Sequence, residues 1–225
     1  MPSPADFEPF GLSLRVASLA TLGIVLVGIP LALLLARGRF PGKGLFAGVL
    51  LLPLVLPPTV LGYALLLLLG RRAPIGAWLE ATLGVQLVFN RAGAVIASGV
   101  AALPMFLVPA RSAFEGVDPA LEDAARLLGR GEASVFASVT IPLAWRGLVA
   151  GAVLAFARAL GDFGATLMVA GDIPGRTRTA SMAIYDAVQV GDAPLALGLT
   201  LAVASISILA LILAQGTTPA RGTRR

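Results

Sequence analysis

Residues 118–142 read DPALEDAARLLGRGEASVFASVTIP, a charged stretch inside a chain that is otherwise strongly apolar. Asp118 is a good N-cap, Pro119 suits the first helical position, and Gly129 stands where a helix should end. The spacing i, i+3, i+4, i+7 places four apolar residues on one face of this predicted helix: Leu121, Ala124, Ala125 and Leu128. We expect that face to bind a partner outside the membrane.

The other face of the same predicted helix is polar. Glu122 and Arg126 are four residues apart, a spacing at which opposite charges on a helix surface can pair. The sequence therefore predicts an ion pair between Glu122 and Arg126 on the side away from the apolar face.

Composition places the rest of the chain in a lipid bilayer. Of its 225 residues, 57% are hydrophobic and only 13% are charged, which is too apolar for a soluble domain of this size. Five stretches approach the roughly 20 residues that a spanning helix needs. The predicted fold class is an all-α integral membrane protein with about five transmembrane helices, six being the alternative count, at about 12–36, 45–69, 92–112, 143–169 and 195–215.

Basic residues indicate the orientation of these spans. Ten of the seventeen lysines and arginines follow the first, third and fifth spans: Arg37, Arg39, Lys43, Arg111, Arg126, Arg130, Arg146, Arg221, Arg224 and Arg225. Because basic residues favour the cytoplasmic side, we expect the N-terminus outside, and the loop 114–142 and the tail 216–225 in the cytoplasm. Arg71, Arg72, Arg176 and Arg178 fall on the outer side and weaken the asymmetry without reversing it. The basic net charge then reflects topology, and nucleic acid is not an expected partner.

Cysteine and histidine are both absent from the chain. Their absence removes disulfides, thiol chemistry and the commonest metal ligand. We predict no catalytic residue, no cofactor site and no metal site. The glycine-rich run 38–44 lacks both the four-residue gap and the Ser or Thr after Lys that a phosphate-binding loop needs. If ATP drives this protein, a second polypeptide must bind the nucleotide and its magnesium.

The second predicted span contains three prolines, Pro53, Pro57 and Pro58. Each proline frees backbone carbonyls that lipid cannot satisfy, so a broken helix here should face protein or a water-filled path. A kink that merely fits the helix bundle is equally compatible with this pattern.

The fourth predicted span carries Arg158 and Asp162 one helical turn apart, with Thr166 one turn further on. A charge near the middle of a spanning helix costs about 2.5 to 3.5 kcal/mol, so these side chains should face the bundle interior, a wet cavity or the outer interface. They either neutralise each other or contribute to a solute path. Asp162 lies about 28 Å along the helix axis from Leu143, which favours a gate at the outer mouth. Beyond it we expect a turn at Pro174 and Gly175 and a short helix from Thr179 to about Val190.

The charged stretch resembles a known family. The membrane subunits of binding-protein-dependent ABC importers share a motif: Glu-Ala-Ala, then Gly after three residues, then Ile-x-Leu-Pro after nine more. This chain resembles that motif with the same spacing, at Asp123-Ala124-Ala125, Gly129 and Val139 to Pro142. Asp123 replaces Glu, Val139 replaces Ile and Ile141 replaces Leu. The resemblance implies the type I importer permease fold over 11–215. It also implies a coupling helix that docks into an ATP-hydrolysing subunit through Glu122, Asp123, Ala124, Ala125, Gly129 and Pro142.

Further runs, at 54–62, 86–89, 157–166, 173–177 and 183–185, resemble the molybdate branch of the oxyanion importer permeases. Family members usually carry Glu where Asp162 stands and often Asn where Asp172 stands. The resemblance implies a molybdate permease of the inner membrane that works with two ATP-binding subunits and an extracytoplasmic oxyanion-binding protein. We expect a homodimer, because five helices make a thin wall for a path. We expect the path or gate to include Pro57, Pro58, Arg158, Asp162 and Thr166.

Several alternatives stay open from the sequence. Sulfate or thiosulfate and tungstate are alternative cargoes within the same family. An ion-coupled secondary transporter would need intramembrane carboxylates and inverted repeats, but only Asp162 qualifies and no repeat is evident. A membrane-embedded enzyme would need clustered Asp, Glu, His or Ser on one side of the membrane, and the chain offers no such cluster.

Overall fold

Prolines and glycines divide this apolar chain into helices of very different length. In the computed structural model, residues 7–84 and 86–216 are described, and within those ranges the regular secondary structure is entirely helical. The elements are α1 (Glu8–Arg37), α2 (Lys43–Val55), α3 (Pro58–Leu69), α4 (Pro74–Leu83), α5 (Arg91–Glu115), α6 (Pro119–Leu127), α7 (Glu132–Val135), a π-helical turn (Phe136–Thr140), α8 (Ile141–Leu160), α9 (Gly164–Ala170), α10 (Ala180–Val190) and α11 (Ala193–Gly216). Most of the predicted tail, from residue 217 on, lies outside the described residues.

Four stretches of the described chain are long and apolar enough to cross a membrane. They are α1, α5, the continuous run Glu132–Leu160 that ends with α8, and Ala193–Leu213 of α11. A fifth candidate is the pair α3 and α4, which is bent by 46°. The prediction of an all-α membrane protein with about five spans is therefore confirmed.

Two of the predicted spans are interrupted. The stretch 45–69 is divided into α2 and α3, because Pro57 and Pro58 have no N–H with which to continue the helical ladder. Leu56, which precedes them, takes the extended backbone that a following proline favours (ψ 139°). The stretch 143–169 is divided into α8 and α9 at residues 161–163, a break that the sequence did not predict.

The core lies where α1, α5 and α8 pack together, and it is built largely from small side chains. Ala17, Ala102, Ala110 and Ala155 are fully buried there, with Phe106 filling the space between them. Gly147 of α8 approaches α5 so closely that a Cβ at this position would lie 2.4 Å from the Cβ of Ala113. Small residues allow spanning helices to approach in this way, and van der Waals contact then holds them.

Candidate functional site

The coupling helix expected from the sequence is α6, and its ends are where the sequence placed them. The Asp118 carboxylate accepts a hydrogen bond from the backbone N–H of Ala120 at 2.9 Å, and Pro119 occupies the first helical position. Gly129, just beyond the helix, has a φ of +83°, in the left-handed region that glycine adopts without strain. The predicted N-cap and helix end are thus confirmed, in a helix of nine residues.

The apolar side of α6 points away from the protein. Leu121 is 50% exposed and Leu128, the residue that follows the helix, is 83% exposed. Ala124 is exposed as well, and Leu127 adds a further leucine to the same surface. Ala125 is the exception, because it is buried against the rest of the chain. The structure describes all nine residues of α6, and of these just Glu122 and Ala125 are buried.

Glu122 does not pair with Arg126, so that prediction was wrong. The Glu122 side chain, 3% exposed, turns toward the bundle, where Arg37 at the end of α1 donates a hydrogen bond to one carboxylate oxygen and the Thr140 hydroxyl donates to the other. Burial raises the pKa of Glu122, but the hydrogen bonds from Arg37 and Thr140 outweigh it and leave the pKa below its usual value. Glu122 is therefore a buried, ionised anchor of α6.

Arg126 forms a separate ion-pair network on the surface of α6 and α7. Its guanidinium contacts the carboxylate of Asp123 at 2.6 Å and that of Glu132 at 2.7 Å. Hydrogen bonds to Glu132 and then to Asp123 raise the pKa of Arg126. Asp123, which stands where the family carries Glu, thus lies on the exposed side of α6 and is held by Arg126.

Pro142 lies at the second residue of α8, directly after the π-helical turn. A proline inside a helix lacks the N–H of the regular ladder, and its ring clashes with the carbonyl four residues earlier. The wider turn before it, in which the N–H of Ile141 donates to the carbonyl of Phe136, accommodates that ring. This turn ends at Thr140, the residue that donates to Glu122.

The breaks in the second and fourth predicted spans lie side by side. A Cβ on Gly164, at the start of α9, would be 2.9 Å from the Cβ of Pro58, at the start of α3. Four residues further along α3, a Cβ on Gly62 would be 2.7 Å from the Cβ of Met168. The helices α3 and α9 therefore run in the same direction with their first turns in contact.

Asp162 lies within the second break and is almost completely buried. One of its carboxylate oxygens accepts hydrogen bonds from the backbone N–H and the hydroxyl of Thr166, at 3.0 and 2.7 Å. The other contacts the guanidinium of Arg158 at 3.1 Å. The structure thus brings Arg158, Asp162 and Thr166 together, next to Pro58, with the Arg158 side chain 29% exposed.

The start of α9 packs against α5 some distance from the end of that helix. Ala165 packs in one cluster with Ala97 and Ala101 of α5, which are six and ten residues inward from Arg91, the first residue of α5. At about 1.5 Å per residue, Ala97 and Ala101 lie roughly 9 and 15 Å along the axis from the first residue of α5. The gate at the outer mouth stays a prediction.

A family model described as the binding-protein-dependent transport system inner membrane component matches residues 28–220. The chain belongs to this family. It is also 48% identical over 209 residues to the molybdenum transport system permease protein ModB of Escherichia coli (strain K12), with 91% of each chain covered. It is 39% identical to the putative molybdenum transport system permease protein YvgM of Bacillus subtilis (strain 168), with 93% of this chain and 92% of the relative covered. A third relative is the probable molybdenum ABC transporter permease protein HVO_B0370 of Haloferax volcanii, 41% identical with 92% of this chain and 74% of the relative covered.

The loop after α9 is stabilised by ion pairs. Arg178 contacts Asp172 at 2.7 Å and Asp186 at 2.8 Å, so one guanidinium bridges two carboxylates. The hydrogen bond to Asp172 raises the pKa of Arg178 despite its partial burial. The predicted turn at Gly175 and the predicted helix 179–190, observed as α10, are both confirmed. Across residues 7–84 and 86–216, no three acidic side chains are grouped so that they could hold a metal ion.

Sequence reasoning missed several residues that complete the site. Arg37 and Thr140, the partners of Glu122, carry no local signal, because Arg37 is 85 residues away from Glu122 along the chain. Arg91 was missed as well, although its guanidinium donates to the carbonyls of Gly175 and Arg176 at 3.1 and 2.9 Å and so attaches the loop after α9 to α5. A contact between distant segments is set by packing, which periodicity does not record.

Proposed function

We propose that this chain is the membrane-spanning permease subunit of an ATP-driven molybdate importer. The observation that supports the cargo is the agreement among relatives from Escherichia coli, Bacillus subtilis and Haloferax volcanii, whose names all specify molybdenum and which align over more than nine tenths of this chain. Tungstate, sulfate and thiosulfate are the alternatives, since they share with molybdate the geometry of a tetrahedral oxyanion.

The proposal includes the partners of the chain. Two copies of the permease enclose the path in the inner membrane, two ATP-binding subunits bind the coupling helices, and an extracytoplasmic binding protein delivers the oxyanion. ATP and magnesium belong to the ATP-binding subunits, and this chain is not an enzyme. The exposed leucines of α6 support the docking of a partner there, because an apolar surface rimmed by charged groups is typical of an interaction site. Closure of the ATP-binding subunits moves α6 and switches the permeases between inward-open and outward-open states.

The solute path in this proposal runs along the two adjacent breaks. Pro57 and Pro58 interrupt one span, and Arg158, Asp162 and Thr166 surround the interruption of the other. Non-helical backbone at membrane depth is tolerated where it is buried in protein or lines a water-filled cavity. The partly exposed Arg158 guanidinium supplies positive charge there, and its pairing with Asp162 keeps it from binding the cargo too tightly, because conduction requires weak binding.

Transport by the reconstituted complex tests this function. The permease, its ATP-binding subunit and the binding protein are placed in proteoliposomes, and ATP-dependent uptake of molybdate, tungstate and sulfate is compared. We expect uptake of molybdate that depends on both ATP and the binding protein. Uptake of sulfate alone would transfer the assignment to the sulfate branch, and uptake without any ATP-hydrolysing subunit would contradict the importer mechanism.

The docking role of α6 is tested separately by placing charge on its exposed apolar surface. We expect the double variant Leu121→Asp and Leu128→Asp to abolish co-purification of the ATP-binding subunit, because carboxylates would replace two of the three exposed leucines at the interface. Membrane insertion should be unchanged. Val190→Asp, which also replaces an exposed apolar residue but at the end of α10, is the matched control and should retain the subunit. Equal retention in both variants would show that α6 is not the docking helix.

A further inference from the structure

The coupling helix α6 is attached to the membrane helices by few side chains. Of its nine residues, Glu122 and Ala125 are buried, and Ala125 offers a single methyl group. The remaining residues of α6 lie on the surface that we propose binds the ATP-binding subunit, or beside it. A displacement of α6 must therefore enter the membrane helices mainly through Glu122 or through the chain that flanks the helix.

Glu122 binds two different elements at once. Its two oxygens accept from Arg37, the last residue of α1, and from Thr140, the last residue of the π-helical turn that leads into α8. Both α1 and α8 belong to the central core, where they pack against α5. The carboxylate is thus the point at which the coupling helix contacts the cytoplasmic ends of two spanning helices.

An ion pair with a buried carboxylate and a partly exposed guanidinium suits this position for a mechanical reason. Replacing such a pair by packed apolar residues is often neutral or stabilising, so stability alone does not explain its presence. Apolar contacts are non-directional and can slide, whereas hydrogen bonds to an ionised carboxylate are short and fixed in direction. A charged anchor therefore moves with its partners as one unit.

We propose that Glu122 is the positioning residue that transmits movement of α6 to α1 through Arg37 and to α8 through Thr140. This inference rests on the proposed function, since it assigns the route by which an ATP-binding subunit moves the path. Glu122 faces the bundle in this arrangement and has no contact with the ATP-binding subunit. Loss of the anchor then uncouples ATP hydrolysis from transport while the complex still assembles.

The test measures oxyanion molecules transported per ATP hydrolysed in the proteoliposome system. In Glu122→Gln the amide oxygen can still accept from Thr140, but an amide donor faces Arg37. We expect the number of oxyanions transported per ATP to fall at least about tenfold, which corresponds to about 1.4 kcal/mol of coupling. ATP hydrolysis and co-purification of the ATP-binding subunit should stay within about twofold of wild type. Thr140→Val should also lower the ratio. The double variant Glu122→Gln and Arg37→Met should lower the transport ratio no further than the more severe of the two single variants does.

Glu115→Gln is the matched control, because it removes a cytoplasmic carboxylate from an exposed ion pair with Arg111 and should leave the ratio unchanged. A wild-type ratio in either Glu122→Gln or Thr140→Val would overturn the proposal. So would a parallel loss of ATP hydrolysis, transport and co-purification in Thr140→Val, since that pattern indicates a purely structural role. If Glu122→Gln does not insert into the membrane, Thr140→Val alone decides the outcome by the same criteria.

A second readout separates this proposal from the identity of the cargo. The chain has no cysteine, so a fluorophore on Leu143→Cys, in the first turn of α8, reports movement caused by ATP and vanadate whatever the oxyanion. We expect the fluorescence change to be present in the otherwise wild-type chain and lost with Glu122→Gln. If wild-type proteoliposomes transport none of the oxyanions, the proposed function fails. The fluorescence measurement still tests the connection through Glu122. Loss of the fluorescence change in Glu122→Gln supports that connection, and its persistence overturns it.

Discussion

Asp162 obtains all its partners from its own stretch of chain, since Arg158 and Thr166 lie four residues on either side of it. Asp162→Ala would leave the Thr166 N–H and the Arg158 guanidinium without their acceptor inside the membrane. Breaking a buried ion pair from one side costs roughly 3 kcal/mol or more. We therefore expect a clear fall in the thermal unfolding temperature of the detergent-purified protein.

Asp186→Asn is the control for Asp162→Ala. The Asp186 carboxylate is about half-exposed, and its partner Arg178 keeps Asp172. An exposed pair contributes about 1 kcal/mol at most, so the unfolding temperature should change little. Equal shifts in the two variants would contradict the structural role of Asp162.

Glu122 makes the free energy of unfolding depend on pH. Its pKa in the folded protein lies below the ordinary value of 4.5. A lowered carboxyl pKa stabilises the folded state fully above the ordinary value, and that stabilisation is lost as pH falls through the folded value. We expect the difference in unfolding temperature between wild type and Glu122→Gln to be constant from about pH 8 to about pH 6 and to shrink below about pH 4.5. A difference that grows on acidification would contradict this assignment.

Local chemistry and long-range packing explain what could be predicted for single residues. Asp118 and Gly129 were predicted correctly because capping depends on the adjacent residues. Glu122 was assigned the wrong partner because the i, i+4 rule considers one helix in isolation. In the folded chain Arg126 pairs with Asp123 and Glu132, and Glu122 turns to Arg37.

At the scale of helices, the contact between α3 and α9 depends on the absence of a side chain at residue 62. A Cβ there would lie 2.7 Å from the Cβ of Met168 and 2.9 Å from the Cα of Ala165, so the backbones must separate to admit it. Inserting an extra group into a packed contact costs about 1 to 3 kcal/mol. We expect Gly62→Ala to lower both the unfolding temperature and oxyanion uptake.

Gly48→Ala is the matched control for Gly62→Ala, because a Cβ on Gly48 in α2 would meet no atom within 4 Å. This variant should behave like the wild type in both measurements. If Gly62→Ala also keeps the unfolding temperature and oxyanion uptake of the wild type, the close contact between α3 and α9 is not required for transport.

The two breaks differ in how far the sequence could predict them. Pro57 and Pro58 interrupt any helix by their own chemistry, and the sequence indicated that break. The break at residues 161–163 contains no proline. It is stabilised by Asp162, which accepts from the first turn of α9, and by the close fit of Gly164 against Pro58. A break of this kind depends on packing against a neighbouring helix, here α3. The sequence of the broken segment alone does not reveal which helix lies beside it.

For the whole molecule, the absence of cysteine makes the orientation in the membrane directly testable. Ala133→Cys places a thiol in α7, which follows α6, and Val190→Cys places one at the end of α10; both positions are exposed. We expect a membrane-impermeant thiol reagent to label Val190→Cys in intact spheroplasts and Ala133→Cys only after permeabilisation, because basic residues favour the cytoplasmic side. The reverse labelling pattern would place α6 outside the cell.

The spacing of Arg158 and Asp162 also has a consequence for biosynthesis. The two side chains are one helical turn apart, so they can meet in the nascent segment without a contact from any other helix. The translocon then handles a neutral ion pair instead of two isolated charges, each of which would oppose insertion by about 2.5 to 3.5 kcal/mol. In the folded protein the same carboxylate also accepts from Thr166 in the first turn of α9. We therefore expect it first to ease entry into lipid and later to stabilise the break between α8 and α9.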